Sequence, residues 1–104
     1  RSNSWVYYNL GLLFLEQRNW QQALDNLEAS LIGNLKPSWI EAWAHIKRGN
    51  AYDAKGERTR AVAEYQKAVQ SGIDYDNAQA VAKKYLATPY DPKADQTAAV
   101  SPEN

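Results

Sequence analysis

The sequence predicts an all-α fold built from helical hairpins in series. Three observations carry this. Large apolar residues recur at three- and four-residue spacing along most of the chain, the period of one helix face. Strand-like alternation is nowhere sustained over more than a few residues. One register shift also lays the first half of the chain on the second. It carries Trp5 onto Trp43, Gly11 onto Gly49 and Ala23 onto Ala61, and it pairs Phe14 with Tyr52, Leu24 with Val62, Leu31 with Val69 and Leu35 with Ile73.

The elements follow in order. Trp5, Tyr8, Leu12 and Leu15 form one helical row, and Tyr7, Leu10 and Phe14 another. This first helix is apolar over most of its circumference, so it is expected to pack on more than one side. Arg18-Asn19 interrupts it, and Asn19 with Gln22 reads as a capping box opening a second helix over about Trp20 to Leu31. Its inward face is Ala23, Leu24, Leu27 and Leu31. Gly33-Asn34 is a stop signal, and Ser38 with Glu41 reads as the next capping box, behind Pro37. The third helix then runs to about Ala54 and leaves through Lys55-Gly56. A fourth spans about Arg58 to Gln70 and ends at Ser71-Gly72; a fifth starts at Asp76 with Gln79 and carries Ala78, Val81, Ala82, Tyr85 and Leu86 inward. Loops this short make neighbouring helices antiparallel. The helical unit therefore covers residues 1–87, with hairpins over about 4–37 and 42–75 and a last helix over about 76–87. Residues 88–104 hold Pro89, Pro92 and Pro102 and little to bury, and are expected to form an extended, mobile tail in which Tyr90 alone can pack back on the domain.

Composition excludes several functions. The 104 residues carry 12 Lys+Arg against 12 Asp+Glu, so broad nucleic-acid binding lacks its basic excess. Zero Cys removes disulfides, thiolate metal sites and thiol nucleophiles, and a single His removes the common multi-His sites. No apolar run approaches the ~18–20 residues of a membrane span, and no targeting motif is visible. The chain begins at Arg1 and holds no Met, which suggests a piece of a longer protein.

The small residues sharpen the fold. A glycine inside a helix costs ~1 kcal/mol against alanine. Close approach of a neighbouring backbone would offset that cost at Gly11 and Gly49, with Ala23 and Ala61 as matching small residues on the second helix of each hairpin. Leu10-Gly11…Phe14…Ala23…Leu27 and Gly49…Tyr52…Gly56…Ala61…Tyr65…Ala68 resemble the tetratricopeptide repeat. The resemblance covers about Ser2 to Tyr75 and implies a right-handed helical-hairpin array, about two repeats plus a C-terminal capping helix. There are departures. Tyr7 and His45 stand in the slot of the leading Trp, the period is about one helical turn longer than the ~34 residues of the pattern, and Arg48 replaces a Leu, so its stem should lie along apolar surface with its head in water.

The resemblance also implies a function: binding of a protein or peptide on the concave face lined by the first helix of each hairpin. Carried over by position, that face holds Trp5, Tyr8, Asn9, Leu12 and Glu16 of the first helix. The third helix adds Trp39, Trp43, Lys47, Asn50 and Asp53, and the fifth adds Asn77, Ala80 and Lys84. Aromatic residues there are good anchors, because they bury large area at low entropy cost. The Lys/Asn clamp with which some members hold a peptide carboxylate is absent, since its places read Tyr8, Leu12, Lys47, Asn77 and Val81.

A plainer reading competes at most of these positions. Trp39, Trp43 and Trp5 also suit packing between hairpins, while Tyr7, Phe14, Tyr52 and Tyr65 suit the core and Trp20 a plug at the hairpin end. His45, in mid-helix, reads as packing rather than as a base, and Asp53, Glu57 and Glu64 read as a solvated charged face. No nucleophile elbow or phosphate loop is present. The expectation is a non-catalytic scaffold with no metal, no cofactor, no nucleic-acid partner and no membrane insertion. The alternative is a structural terminal segment of a longer solenoid or multidomain protein, joining neighbours or self-associating into a homo-oligomer through its end faces.

Overall fold

A computed structural model describes residues 2–94, and among these the chain is all-helical. The helices are α1 (Ser4–Glu16), α2 (Trp20–Ile32), α3 (Ile40–Ala54), α4 (Arg58–Ser71) and α5 (Ala78–Ala87), with a 3₁₀ turn at Tyr75–Asn77. They pack in chain order, each against the next. Among the described residues no helix is long and apolar enough to cross a membrane.

The helix starts were placed within two residues, but the expected capping boxes do not form. Asn19 and Trp39 occupy the N-cap positions of α2 and α3 without a side-chain cap bond. The α5 start differs most: Asp74, not Asp76, caps it, with Oδ1 accepting from the Gln79 N–H at 3.1 Å. The Gln79 side chain instead turns away and donates to the carbonyls of Ala68 and Ile73 at 3.1 and 2.9 Å. At the N-terminus Asn3 caps α1, its Oδ1 accepting from the Val6 N–H at 3.2 Å.

Two apolar clusters form the core. Tyr8, Leu27, Ile40 and Ala44 make the first; Ala42, Ile46, Ala61, Tyr65, Ala68, Ala78 and Ala82 make the second, and Trp43 packs against both. The link from α2 to α3 is latched to the start of α1. Ser4 Oγ accepts from the Leu35 N–H at 2.8 Å, and Asn34 Oδ1 accepts from the Ser4 N–H at 3.2 Å. The extra turn of chain there holds Trp39 across α1, edge-on to Trp5 at 6.0 Å and to Tyr8 at 5.5 Å.

The helix glycines serve side chains rather than backbones. A Cβ on Gly11 would lie 2.6 Å from Leu27 Cγ, and one on Gly49 would strike the ring of Tyr65. Leu27 and Tyr65, both fully buried, are related by the same register shift as the glycines. Each first helix thus offers a bare notch, and the second helix fills it with its largest fully buried side chain. Ala23 and Ala61 are fully buried as expected.

The first helix packs against both α2 and α3 but leaves Trp5, Val6, Leu10 and Leu13 between 37% and 48% exposed. One other expectation is corrected. Arg48 does not keep its head in water. Its side chain is 13% exposed, and its guanidinium donates to the Leu24 carbonyl at 2.8 Å and to Tyr52 Oη at 3.2 Å. Arg48 thereby forms a largely buried cross-link from α3 to α2.

Gly49→Ala should lower stability to urea by about 1–3 kcal/mol, because the added methyl overpacks a ring that cannot retreat. Helix propensity alone would raise stability by ~1 kcal/mol, so the sign of the shift in the unfolding midpoint decides whether the notch is real.

Candidate peptide-binding cleft

The first helices of the two hairpins, α1 and α3, face one another across two adjoining clefts. The larger, about 500 Å³, is lined by Asn9, Leu12, Leu13, Leu15 and Glu16 of α1, Lys47 and Asn50 of α3, and Tyr85 and Tyr90. The second, about 440 Å³, takes Trp5 and Tyr8 from α1, Trp39 and Trp43 from the start of α3, and Tyr75 and Asp76 from the 3₁₀ turn. Asn9, Leu12 and Lys47 line both. Helical spacing explains the convergence: positions 5, 8, 9, 12 and 16 form one stripe of α1, and 43, 47 and 50 one stripe of α3.

Nine of the thirteen residues the resemblance assigned therefore come together: Trp5, Tyr8, Asn9, Leu12, Glu16, Trp39, Trp43, Lys47 and Asn50. The four others, Asp53, Asn77, Ala80 and Lys84, line neither cleft. Asp53 lies beneath the surface with its side chain 2% exposed, bound to Arg58 at 3.0 Å. Lys84 is exposed on α5, its ammonium 5.3 Å from the ring centre of Tyr85. Tyr75, Asp76, Tyr85 and Tyr90 join the walls without having been foreseen. Tyr75 and Asp76 sit in a connection with no helical period, and Tyr85 was read only as inward-facing.

The aromatic end is built around Trp39. Its ring stacks on Tyr75 at 5.0 Å, nearly parallel, and meets Trp5 and Tyr8 by their edges. The Trp43 indole N–H donates to the Tyr75 carbonyl at 2.9 Å, and Lys47 Nζ lies 5.6 Å over the Trp43 ring. These rings thus pack on one another and line the cleft at once. Burial, with the nearby charge of Asp76, holds the Tyr8 hydroxyl protonated well above the ordinary tyrosine range. Asp76 and Asn77 adopt left-handed φ values of 55° and 63°, which places the acidic side chain on the wall.

The polar floor is organised by Tyr65. Its hydroxyl donates to Asp53 Oδ2 at 2.8 Å and accepts from Asn50 Nδ2 at 3.0 Å. Burial and the Asp53 charge push its pKa upward, so it remains a neutral donor. Asp53 also accepts from Arg58, which reaches on to the last-turn carbonyls of Tyr85 and Leu86 at 2.8 and 2.9 Å. Asp53 is consequently a buried junction and not part of a solvated face.

Comparison with protein-family models, with curated proteins and with solved structures finds no match to this chain. The site therefore rests on its own geometry.

A second buried carboxylate, Glu64, also contradicts the solvated reading. It is 6% exposed, and its Oε1 meets His45 Nδ1 at 2.8 Å and Arg48 Nε at 3.4 Å. This cluster joins α3 to α4 and contributes no residue to either cleft lining. Among the described residues no group of three or more acidic, His or Cys side chains is placed to hold a metal ion. Burial raises the Glu64 pKa, but the hydrogen bond from His45 and the charge of Arg48 outweigh it, and the net shift is downward from 4.5. A lowered carboxyl pKa stabilises the fold above the unfolded value and loses that contribution as pH falls through the native one. Urea stability should therefore decline as pH drops below about 4.5, and Glu64→Gln should flatten that part of the profile. An unchanged profile in the variant would remove the pair from the account.

Proposed function

We propose that this chain is a non-catalytic protein- or peptide-binding module of the tetratricopeptide type, with a right-handed array of two hairpins and a capping helix, and that it binds through the face of α1 and α3. The observation that carries the reading is the convergence of nine assigned side chains, four of them aromatic, on two adjoining clefts. Rings held by their neighbours offer contact area without losing rotamer freedom on binding. Lys47 and Asp76 give the walls charges of both signs, which suits a mixed polypeptide surface better than a uniformly charged ligand. The repeated notch, Gly11 with Leu27 and Gly49 with Tyr65, supports the array.

A second reading has its own observation. Val6 is 48% and Leu13 46% exposed on α1, whereas their register mates Ala44 and Ala51 on α3 are fully buried. Self-association through the outer row of α1 would cover these side chains.

Binding is measured by titrating partner peptides and following tryptophan fluorescence. Trp5→Ala and Lys47→Glu should each weaken a bound peptide about tenfold or more with the helical circular dichroism retained. Unchanged affinity in both would contradict the cleft. In sedimentation, a concentration-dependent dimer abolished by Leu10→Glu, together with no peptide binding, would favour the second reading.

A further inference from the structure

The residues after α5 do not leave the domain. Tyr90 lines the larger cleft, and its backbone N–H donates to Asp53 Oδ2 at 3.0 Å. Its ring stands edge-on to Tyr85 at 5.7 Å. Two residues on, the Pro92 carbonyl accepts from an Arg18 guanidinium N–H at 3.2 Å, so the segment reaches the turn between α1 and α2. The expected tail thus divides: Tyr90 and Pro92 meet the domain, residues 92–94 are helical and not extended, and 95–104 lie outside the described residues.

We infer that residues 88–93 close one end of the proposed cleft in cis, and that the peptide which displaces them in trans resembles them, with a tyrosine two residues before a proline. The inference rests on the cleft being a peptide site.

The geometry is that of a seated peptide. Asp53 Oδ2 already accepts from the Tyr65 hydroxyl and from Arg58, and the remaining donor comes from the segment's main chain. A main-chain N–H is common to every peptide, so this acceptor fixes where a peptide sits without choosing its sequence. Choice comes from the ring on Tyr85 and from the prolines. Pro89 and Pro92 hold φ near −65° and bias the residues before them toward extended backbone, so little entropy is lost on docking.

The same segment is lightly held. Thr88, Pro89, Asp91 and Lys93 are exposed, and only Tyr90 and Pro92 are half-buried. A strap with few buried contacts opens at low free energy. Being tethered, it acts as a competitor at ~mM effective concentration, which a ligand from outside must exceed. The strap therefore sets the apparent affinity of the cleft as well as its specificity.

The test uses the full chain, two strap variants and one synthetic peptide with the sequence of residues 86–94. Tyr90→Ala removes the ring contact. Arg18→Gly removes the donor to Pro92 and suits the left-handed φ of 62° at that position. Each variant is first checked for unchanged helical circular dichroism; because the two lie at opposite ends of the strap, either one alone suffices. Tryptophan fluorescence should report tighter binding of the peptide to each variant than to the parent chain by about tenfold, the weight of one hydrogen bond to a charged group. The same peptide with its tyrosine changed to alanine should not bind. Equal affinity for parent and variants, abolished by Lys47→Glu, would overturn the strap while leaving the cleft as a peptide site. No binding to any chain would also overturn the inference, and the cleft would then stand or fall on the partner titration.

Discussion

Tyr65 is the side chain on which the second hairpin depends. Its ring fills the notch that Gly49 leaves on α3, and its hydroxyl ends between Asn50 and Asp53. A single residue thereby joins the apolar core to the polar floor of the cleft. The first hairpin repeats only half of this device. Leu27 fills the notch at Gly11 but carries no polar end, so no equivalent junction exists on α1. The Tyr90 N–H accordingly meets Asp53 in the second hairpin.

Cleft geometry follows from three constraints acting together. The 3.6-residue period puts the stripe of Trp5, Tyr8, Asn9 and Leu12 on one side of α1. The latch from Ser4 to Asn34 and Leu35 then sets the height at which α3 begins, and so where Trp39 lies. Trp43 touches both clusters, which keeps α1 and α3 from separating. The segment after α5 meets this groove at Tyr90.

Most of the helix boundaries were legible in the sequence, because they depend on local spacing, and nine cleft positions followed from the resemblance. Glycine and proline punctuation located the turns at 33–37, 56 and 72, and the stripe positions were those the resemblance implied. What was not legible depends on contacts far apart in the chain. Glu64 and Asp53 looked solvated because their partners, His45, Arg48, Arg58 and Tyr65, come from other turns or another helix. Arg48 was misread for the same reason: the Leu24 carbonyl that receives it is 24 residues away. The capping boxes failed in the other direction, since Asn19 and Ser38 carry the right residue types but the turn geometry does not bring their side chains to the free N–H groups. Tyr90 was recognised as able to pack back, yet nothing local pointed to Asp53 as its partner.

The most direct check on this account is a solution NMR measurement of proton–proton contacts across each notch. Strong cross-relaxation is predicted between the Gly49 α-protons and the ring protons of Tyr65, and between the Gly11 α-protons and the methyls of Leu27. If both pairs lack those cross-peaks in a folded, helical chain, the nesting of the hairpins is wrong, and the cleft loses the framework that positions it.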